Sequence, residues 1–82
     1  MTELLEGELG VLTGPGGLPE VLVASGGRRR VEAVAARWRV ETDWWRSPVR
    51  RDYFRCLLDD AECVDLYRDL ETGLWHWSRR HD

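Results

Sequence analysis

The sequence predicts an all-β domain: about six short antiparallel strands in a meander, closing as a small SH3-like barrel or a strongly curled sheet, with at most one short helix. The first supporting observation is a series of short apolar segments, which are separated at short intervals by residues typical of turns, such as glycine, proline and aspartate. The second is a long central segment whose apolar positions change parity, because a bulge there would bend the sheet. The 82 residues make one domain, residues 1–82, with a frayed start at residues 1–7, where the sequence favours at most a frayed helical turn over residues 2–7.

The first two strands are predicted at Glu8–Thr13 and Glu20–Ala24, between glycine-rich turns. The run TGPGG at residues 13–17 lacks the Gly-Lys-Ser/Thr ending of a phosphate-binding loop, so we interpret it as a turn. Gly26-Gly27 then supplies the positive φ angles of a tight two-residue hairpin.

The third strand is predicted from about Arg29 to Glu41, which is long for a strand. Its apolar residues change from odd to even positions: Val31 and Ala33, then Val34, Ala36, Trp38 and Val40. A slip of one residue requires a β-bulge near Ala33–Ala36. A single helical turn over the AVAA run is the alternative.

The remaining strands are predicted at Arg51–Leu58, Glu62–Arg68 and Leu74–Arg79. Side chains alternate between the faces of a strand, so the last strand places its two tryptophans on one face and His76 on the other. These three strands complete the meander.

The turn between the fourth and fifth strands decides how the two cysteines lie. We expect Asp60-Ala61 to form this turn, so that Cys56 and Cys63 are offset diagonally and remain free thiols. An Asp59-Asp60 turn would instead place the two cysteines opposite each other. Two cysteines are also too few for a disulfide scaffold, which favours a reducing cytoplasm.

Composition limits the classes of function. No apolar run is long enough to cross a membrane and no signal peptide is recognisable, so we expect a cytoplasmic protein without a membrane partner. Residues 28–55 carry nine arginines against four acids, whereas both flanking segments are acidic and the net charge is −3. A basic middle between acidic ends does not favour indiscriminate binding of nucleic acid.

The segment Arg37–Arg55 holds three of the five tryptophans. Alternation along the third strand predicts that Trp38 points inward, with Arg37 and Arg39 outward in water. Because each aromatic side chain can bury roughly 150–250 Å², we expect a small core built mainly on tryptophan.

Trp44 and Trp45 are consecutive, so in a strand they would point to opposite faces and one of them would be exposed. An exposed tryptophan beside Arg46 is the binding hot spot that the sequence favours. A tryptophan that caps the end of the barrel is the alternative. The predicted partner-binding set also includes a polar rim of four arginines: Arg37, Arg39, Arg50 and Arg51.

No set of residues suggests a catalytic, cofactor-binding or metal-binding site, so we do not expect an enzyme. Cys56, Cys63, His76 and His81 are four residues of types that bind zinc, but the six residues between the cysteines are not a zinc-knuckle spacing. We interpret the two cysteines as small apolar fillers. We interpret Asp65 and Asp69 as structural ion-pair partners of arginines rather than as acid–base groups.

Several short motifs follow one another in a specific order: Arg37-Trp38-Arg39-Val40, Trp44-Trp45-Arg46, Arg50-Arg51-x-Tyr53-Phe54-Arg55, Asp65-Leu66-Tyr67-Arg68-Asp69-Leu70 and Thr72-Gly73-x-Trp75. Over roughly residues 6–80 this order resembles a family of small uncharacterised bacterial domains. The chain departs from that pattern at Val23 and Arg30, where aromatic residues are expected, and at Ala61, where the turn carries glycine.

Members of that family resemble stand-alone partners encoded beside, or linked with, bacterial translesion-synthesis mutasomes. Those assemblies contain an inactive Y-family polymerase homologue and an error-prone replicative-type polymerase. The resemblance therefore implies a DNA-damage-tolerance context, with a mutasome polymerase as the partner, and implies no chemistry. We expect a non-catalytic protein-interaction accessory module. The alternative is a small nucleic-acid-binding domain that uses the Trp/Arg-rich central segment.

Overall fold

Antiparallel strands build almost all of the computed structural model, which describes residues 2–4, 8–24, 27–42 and 48–81. The strands are β1 (Thr2–Leu4), β2 (Glu8–Thr13), β3 (Pro19–Ala24), β4 (Gly27–Thr42), β5 (Val49–Leu58), β6 (Cys63–Asp69) and β7 (Trp75–His81). Within those ranges the only helical element is a 3₁₀ turn at Pro15–Gly17. No helix in the described part of the chain is long and apolar enough to cross a membrane.

The sheet closes on itself. Strands pair in chain order from β2 to β7, and β7 pairs in turn with β2, where Leu9 lies opposite Trp75. β1 extends this seam along β7, with Thr2 opposite His81. The predicted six-stranded antiparallel barrel is confirmed, and β1 is a short additional strand where the sequence predicts only a frayed start.

β4 changes partner along its length. Its first four residues pair with β3, and the rest pair with β5. The register with β5 shifts between Val31 and Ala33 and again between Val34 and Ala36. The strand therefore carries two bulges where the sequence predicts one, and the helical-turn alternative is wrong.

The second bulge reverses the predicted orientation of the strand's side chains. Each bulge inverts the parity of the residues that follow, so two bulges restore the original parity. Arg37 consequently lies opposite the buried Phe54, while Trp38 lies opposite Tyr53 on the outer face and is 36% exposed. The prediction that Trp38 points inward is wrong for this reason.

The core lies inside the barrel and contains no fully buried tryptophan among the described residues. Its buried members are Leu9, Leu22, Phe54, Cys56, Leu58, Val64 and Leu66. Trp75 and Trp77 share one face of β7, as predicted, and pack against this cluster while remaining partly exposed. The prediction of a core built mainly on tryptophan is wrong, because a narrow barrel has room inside for aliphatic side chains but not for several whole indoles.

The two cysteines are free thiols on opposite faces of the sheet. Cys56 is fully buried, whereas Cys63 lies opposite the exposed Leu57. Neither predicted turn register is correct, because the observed pairing is intermediate between the two. Burial raises the pKa of the Cys56 thiol to about 12, so it stays protonated and apolar in character at neutral pH.

A three-residue loop at positions 59–61 joins β5 to β6. The Leu58 N–H donates to the Glu62 carbonyl at 2.8 Å, and the Ala61 N–H donates to the Leu58 carbonyl at 3.0 Å. Loops of this length place their last residue in the left-handed region, and Ala61 has a φ of 67°. The chain thus uses alanine where glycine is the favoured residue.

Replacing Ala61 by glycine should raise the free energy of unfolding by about 0.5–1 kcal/mol. The left-handed conformation costs an L-residue roughly 1–2 kcal/mol, and the greater freedom of glycine in the unfolded chain offsets part of the gain. Denaturant unfolding measures the change. Ala61→Val is the matched control and should destabilise, and an unchanged midpoint for the glycine variant would contradict a strained turn.

Candidate functional site

Four aromatic rings form a continuous row across the outer face of β4 to β7. The row consists of Trp38, Tyr53, Tyr67 and His76, which lie opposite one another in successive strands. Neighbouring ring centroids are 5.4 Å apart at the tryptophan end, then 5.2 Å, then 5.1 Å at the histidine end. Side chains directly opposite on paired strands are close enough to touch, so rings at matching positions stack. We call these four side chains the aromatic row.

Two arginines of β5 flank the aromatic row, one on each side. The Arg51 guanidinium lies 4.4 Å from the centre of the Tyr67 ring and donates to the Tyr53 hydroxyl at 3.3 Å. The Arg55 guanidinium lies 5.5 Å from the centre of the Trp38 ring. Cations over ring faces are attracted by the ring quadrupole, so these contacts help to keep the rings in place.

Trp38 is the open end of the aromatic row. One face of its indole stacks on Tyr53 with an interplanar angle of 8°. On its other side, no strand of the described chain pairs with β4 at this level. A shallow groove of about 310 Å³ runs beside it, lined by Trp38, Tyr53, Arg55, Asp65, Ser78 and Arg79.

The carboxylate of Asp65 forms one wall of this groove and is nearly inaccessible. Arg55 donates to its two oxygens at 2.9 and 3.2 Å, and His81 Nε2 lies 2.9 Å from one of them. Burial opposes ionisation of this carboxyl, but the hydrogen bonds from Arg55 and His81 outweigh it and lower the pKa of Asp65. The predicted pairing of Asp65 with an arginine is confirmed.

Asp69 has a different role from the one predicted. Its carboxylate accepts hydrogen bonds from the backbone N–H groups of Glu71 and Thr72, at 2.8 and 3.3 Å. It therefore organises the turn between β6 and β7, a common use of aspartate in turns. No ion pair between Asp69 and an arginine is present among the described residues.

The predicted hot spot, Trp44, Trp45 and Arg46, lies outside the described residues. The exposure of one of the two tryptophans therefore stays a prediction. Arg51 flanks the aromatic row, while Arg50 lies opposite Glu41 at the end of the β4–β5 ribbon. The structure thus places only one of the four rim arginines next to the aromatic row.

Arg37 and Arg39 are gathered around a buried carboxylate instead. Both lie on the inward side of β4, where Arg39 donates to Asp52 at 2.7 and 3.2 Å and Arg37 approaches it to 3.7 Å. The hydrogen bonds from Arg39 are the main cause of the lowered pKa of Asp52. The guanidinium of Arg37 also lies 5.2 Å from the centre of the Phe54 ring, so it covers one end of the core.

The residues that could bind zinc are dispersed. Cys56 is in the core and His76 is in the aromatic row, whereas Cys63 and His81 lie opposite each other at the far end of β6 and β7. In the described part of the chain, no group of three or more His, Cys, Asp or Glu side chains is arranged to hold a metal ion.

The sequence interpretation missed Tyr53, Tyr67 and His76 as members of one surface. Each lies on a different strand, so only the strand registers bring them together. The signal that could have found them is the alternation of Arg51, Tyr53 and Arg55 on one face of β5. Similarity to known proteins adds nothing to this assignment: no family model matches the chain, and no curated protein or solved structure is significantly similar to it.

Two tryptophan variants distinguish the outer row from the core. Trp38→Ala should lower the free energy of unfolding by about 1–2 kcal/mol, because the ring is partly exposed and loses one stacked neighbour. Trp75→Ala should cost about 3 kcal/mol or more, since its ring packs against the core 5.3 Å from Phe54. Denaturant unfolding of both variants measures the difference. The reverse order would contradict the placement of Trp38 on the outer face.

Asp65→Asn should reduce stability at pH 7 by about 1–3 kcal/mol, as expected for loss of charged hydrogen bonds. The folded pKa of Asp65 is lowered, so its contribution to stability is present at neutral pH and disappears as the pH falls through that lowered pKa. The variant should therefore lose less stability than the wild type on acidification. Denaturant unfolding from pH 7 to about pH 2 tests this, and an unchanged acid transition would contradict it.

Proposed function

We propose that this chain is a non-catalytic protein-interaction module that docks a partner on the outer face of β4 to β7. We place it in the bacterial cytoplasm, in a DNA-damage-tolerance context, with a translesion mutasome polymerase as the partner. The observation that carries the proposal is the exposed indole of Trp38 at the open end of the aromatic row, beside a groove.

An exposed tryptophan is costly for so small a domain. Burying a large apolar side chain contributes roughly 1.5–3 kcal/mol, a substantial part of the stability of a chain of this size. The fold nonetheless holds Trp38 on the outside, supported on one face by Tyr53 and approached by Arg55. Tryptophan, tyrosine and arginine are the residues enriched at the energetic centres of protein interfaces. A rigid row of them next to a groove is a surface suited to a partner's side chains.

The arrangement of the rings favours a protein partner over a nucleic acid. Single strands bind by stacking bases on open ring faces along a basic groove. In the aromatic row the ring faces pack against one another instead of being open to bases, and Arg51 covers part of the Tyr67 ring. The net charge of the whole chain is −3, which would repel phosphates at long range, although the groove beside Trp38 is lined by two arginines and one carboxylate.

The translesion context rests on the sequence resemblance. The motifs that carry it include Trp38, Tyr53 and Tyr67, which are three of the four members of the aromatic row. The motifs thus include most of this surface, together with core residues such as Phe54 and Leu66. The surface members of the motifs, which the fold does not need for its core, support a shared interaction function.

A nucleic-acid-binding domain is the second candidate, and Arg79 is the observation that favours it. Arg79 lines the groove beside Trp38, and no ion pair joins it to another described residue. A phosphate could use this cation without breaking an existing pair.

The test is affinity capture with three forms of the tagged protein. Wild type, Trp38→Ala and Leu12→Ala are each used to capture partners from bacterial cells that encode the chain, before and after DNA damage. Leu12 is the matched control, because it is a 53% exposed apolar residue on β2, away from the aromatic row. We expect a mutasome polymerase to be captured by wild type and Leu12→Ala, and its affinity for Trp38→Ala to fall by at least about tenfold.

Retention on a single-stranded DNA column separates the two candidates. Phosphate binding weakens steeply as salt is raised, whereas docking on a mainly aromatic surface does not. Retention that falls steeply with salt and is lost in Arg79→Ala would favour the nucleic-acid candidate. Equal capture of the same partners by wild type and Trp38→Ala would contradict the proposed docking surface.

A further inference from the structure

The second half of β4 has a free edge. On one side residues 31–42 pair with β5, and on the other side β3 pairs only with residues 27–30. No strand of the described chain lies along the remaining part of that second side. Barrel closure removes the edges of the other long strands but leaves this one. An unpaired strand edge is a template for a further strand.

The hydrogen bonds of β5 show which backbone groups of β4 are unpaired. The Leu58 N–H donates to the Glu62 carbonyl, and the Arg50 carbonyl accepts from the Leu70 N–H at 2.9 Å. The backbone N–H and C=O groups of the even-numbered residues of β5 therefore point toward β6. Backbone direction alternates along a strand, so the odd-numbered residues turn toward β4. In β4, the residues whose backbone N–H and C=O groups point to the free edge are those opposite the even-numbered residues of β5: Arg37, Arg39 and Glu41.

A second groove opens where the free edge begins. It has a volume of about 350 Å³ and a mainly apolar lining: Pro15, Leu18, Pro19, Val31, Ala33 and Val34, together with Glu20 and Glu32. A strand added along the free edge would lie end to end with β3 and would meet this groove at Pro19. An apolar side chain at that end of the added strand would therefore have a place to pack.

The charge around the second half of the free edge favours an acidic strand, whereas Glu20 and Glu32 at the groove favour an uncharged residue there. The paired segments at residues 37–42 and 49–53 carry four arginines against two carboxylates. Arg37 and Arg39 share the buried carboxylate of Asp52, Arg39 also approaches Glu41 to 3.7 Å, and the two arginine side chains remain 49% and 52% exposed. A second copy of this chain would bring its own excess of arginines to the edge, so like charges disfavour self-pairing.

We infer that the free edge of β4 binds an extended segment of the partner protein by strand addition. The segment has alternating acidic and apolar residues, with carboxylates beside Arg37 and Arg39 and an apolar residue in the groove at Pro19. This inference rests on the proposed function, because it specifies how the protein partner docks. It adds a backbone contact next to Trp38, whose side chain projects from the same stretch of strand.

The test uses amide hydrogen exchange by NMR with a synthetic peptide of about ten residues in which glutamate and valine alternate. In the free protein, the amides of Arg37, Arg39 and Glu41 should exchange faster than those of Trp38 and Val40, which face β5. The peptide should protect the first three, and its affinity should fall as salt is raised. The control peptide has the same sequence, but the alternate amides that would face β4 are N-methylated, and it should not bind.

A matched pair of variants tests the backbone contact alone. Glu41→Pro removes an edge-facing N–H, a change that edge strands tolerate, whereas Glu41→Ala keeps it. Peptide affinity should fall by at least about tenfold in the proline variant and should be retained in the alanine variant, with unchanged exchange in the core of both. Absence of binding at about 1 mM peptide, or binding without protection of the edge amides, would overturn the inference.

Failure of this inference and failure of the proposed function give different results. In one outcome, Trp38→Ala abolishes capture of the cellular partner and Glu41→Pro leaves it intact. This outcome would overturn strand addition and support docking on the aromatic row. Edge protection by the peptide, with equal capture by wild type and Trp38→Ala, would support the edge and contradict the aromatic row. If the protein dimerises as its concentration is raised and Glu41→Pro abolishes the dimer, the edge binds a second copy of this chain. This result would overturn the inference that it binds an acidic strand of a partner.

Discussion

The two bulges of β4 determine which side chains this domain shows to solvent. A single bulge would have placed Trp38 inside and the neighbouring arginines outside, whereas two bulges exchange their positions. The outer position of Trp38 in the aromatic row and the inward position of Arg37 and Arg39 both follow from this local irregularity. Bulges are common beside functional surfaces because they redirect a side chain without changing the fold.

Two buried carboxylates neutralise cationic side chains on the two faces of the sheet. Asp52 serves Arg37 and Arg39 at one end of β5, and Asp65 serves Arg55 and His81 nearer the other end. Each buried charge has more than one partner, which limits the cost of removing it from water. The Asp65 pair orients Arg55 beside the aromatic row, whereas the Asp52 pairs hold Arg37 and Arg39 on the inward side of β4.

The sequence was a good guide to topology and a poor guide to orientation. Strand positions follow from turn residues, and the first predicted strand, Glu8–Thr13, agrees with β2. The side on which Trp38 lies depends on counting bulges, and neither Ala nor Val in that stretch marks the second one. The β5–β6 register depended on an alanine in a conformation that favours glycine, so the turn type was misread. Alternation along β5 marks the face that carries Tyr53, but the complete aromatic row depends on the registers of three strand pairs, which the sequence does not specify.

The seam between β2 and β7 joins residues near opposite ends of the chain, with Leu9 beside Trp75. Apart from β1, which pairs with β7 beside this seam, every other strand pair among the described residues joins neighbours in sequence and closes a short loop. Loop-closure entropy makes distant pairings slow to form, so the hairpins can assemble before the seam does. Until that last pairing forms, both β2 and β7 expose a strand edge. The passage through an open, two-edged sheet is therefore the stage at which newly made chains are most exposed to misassociation.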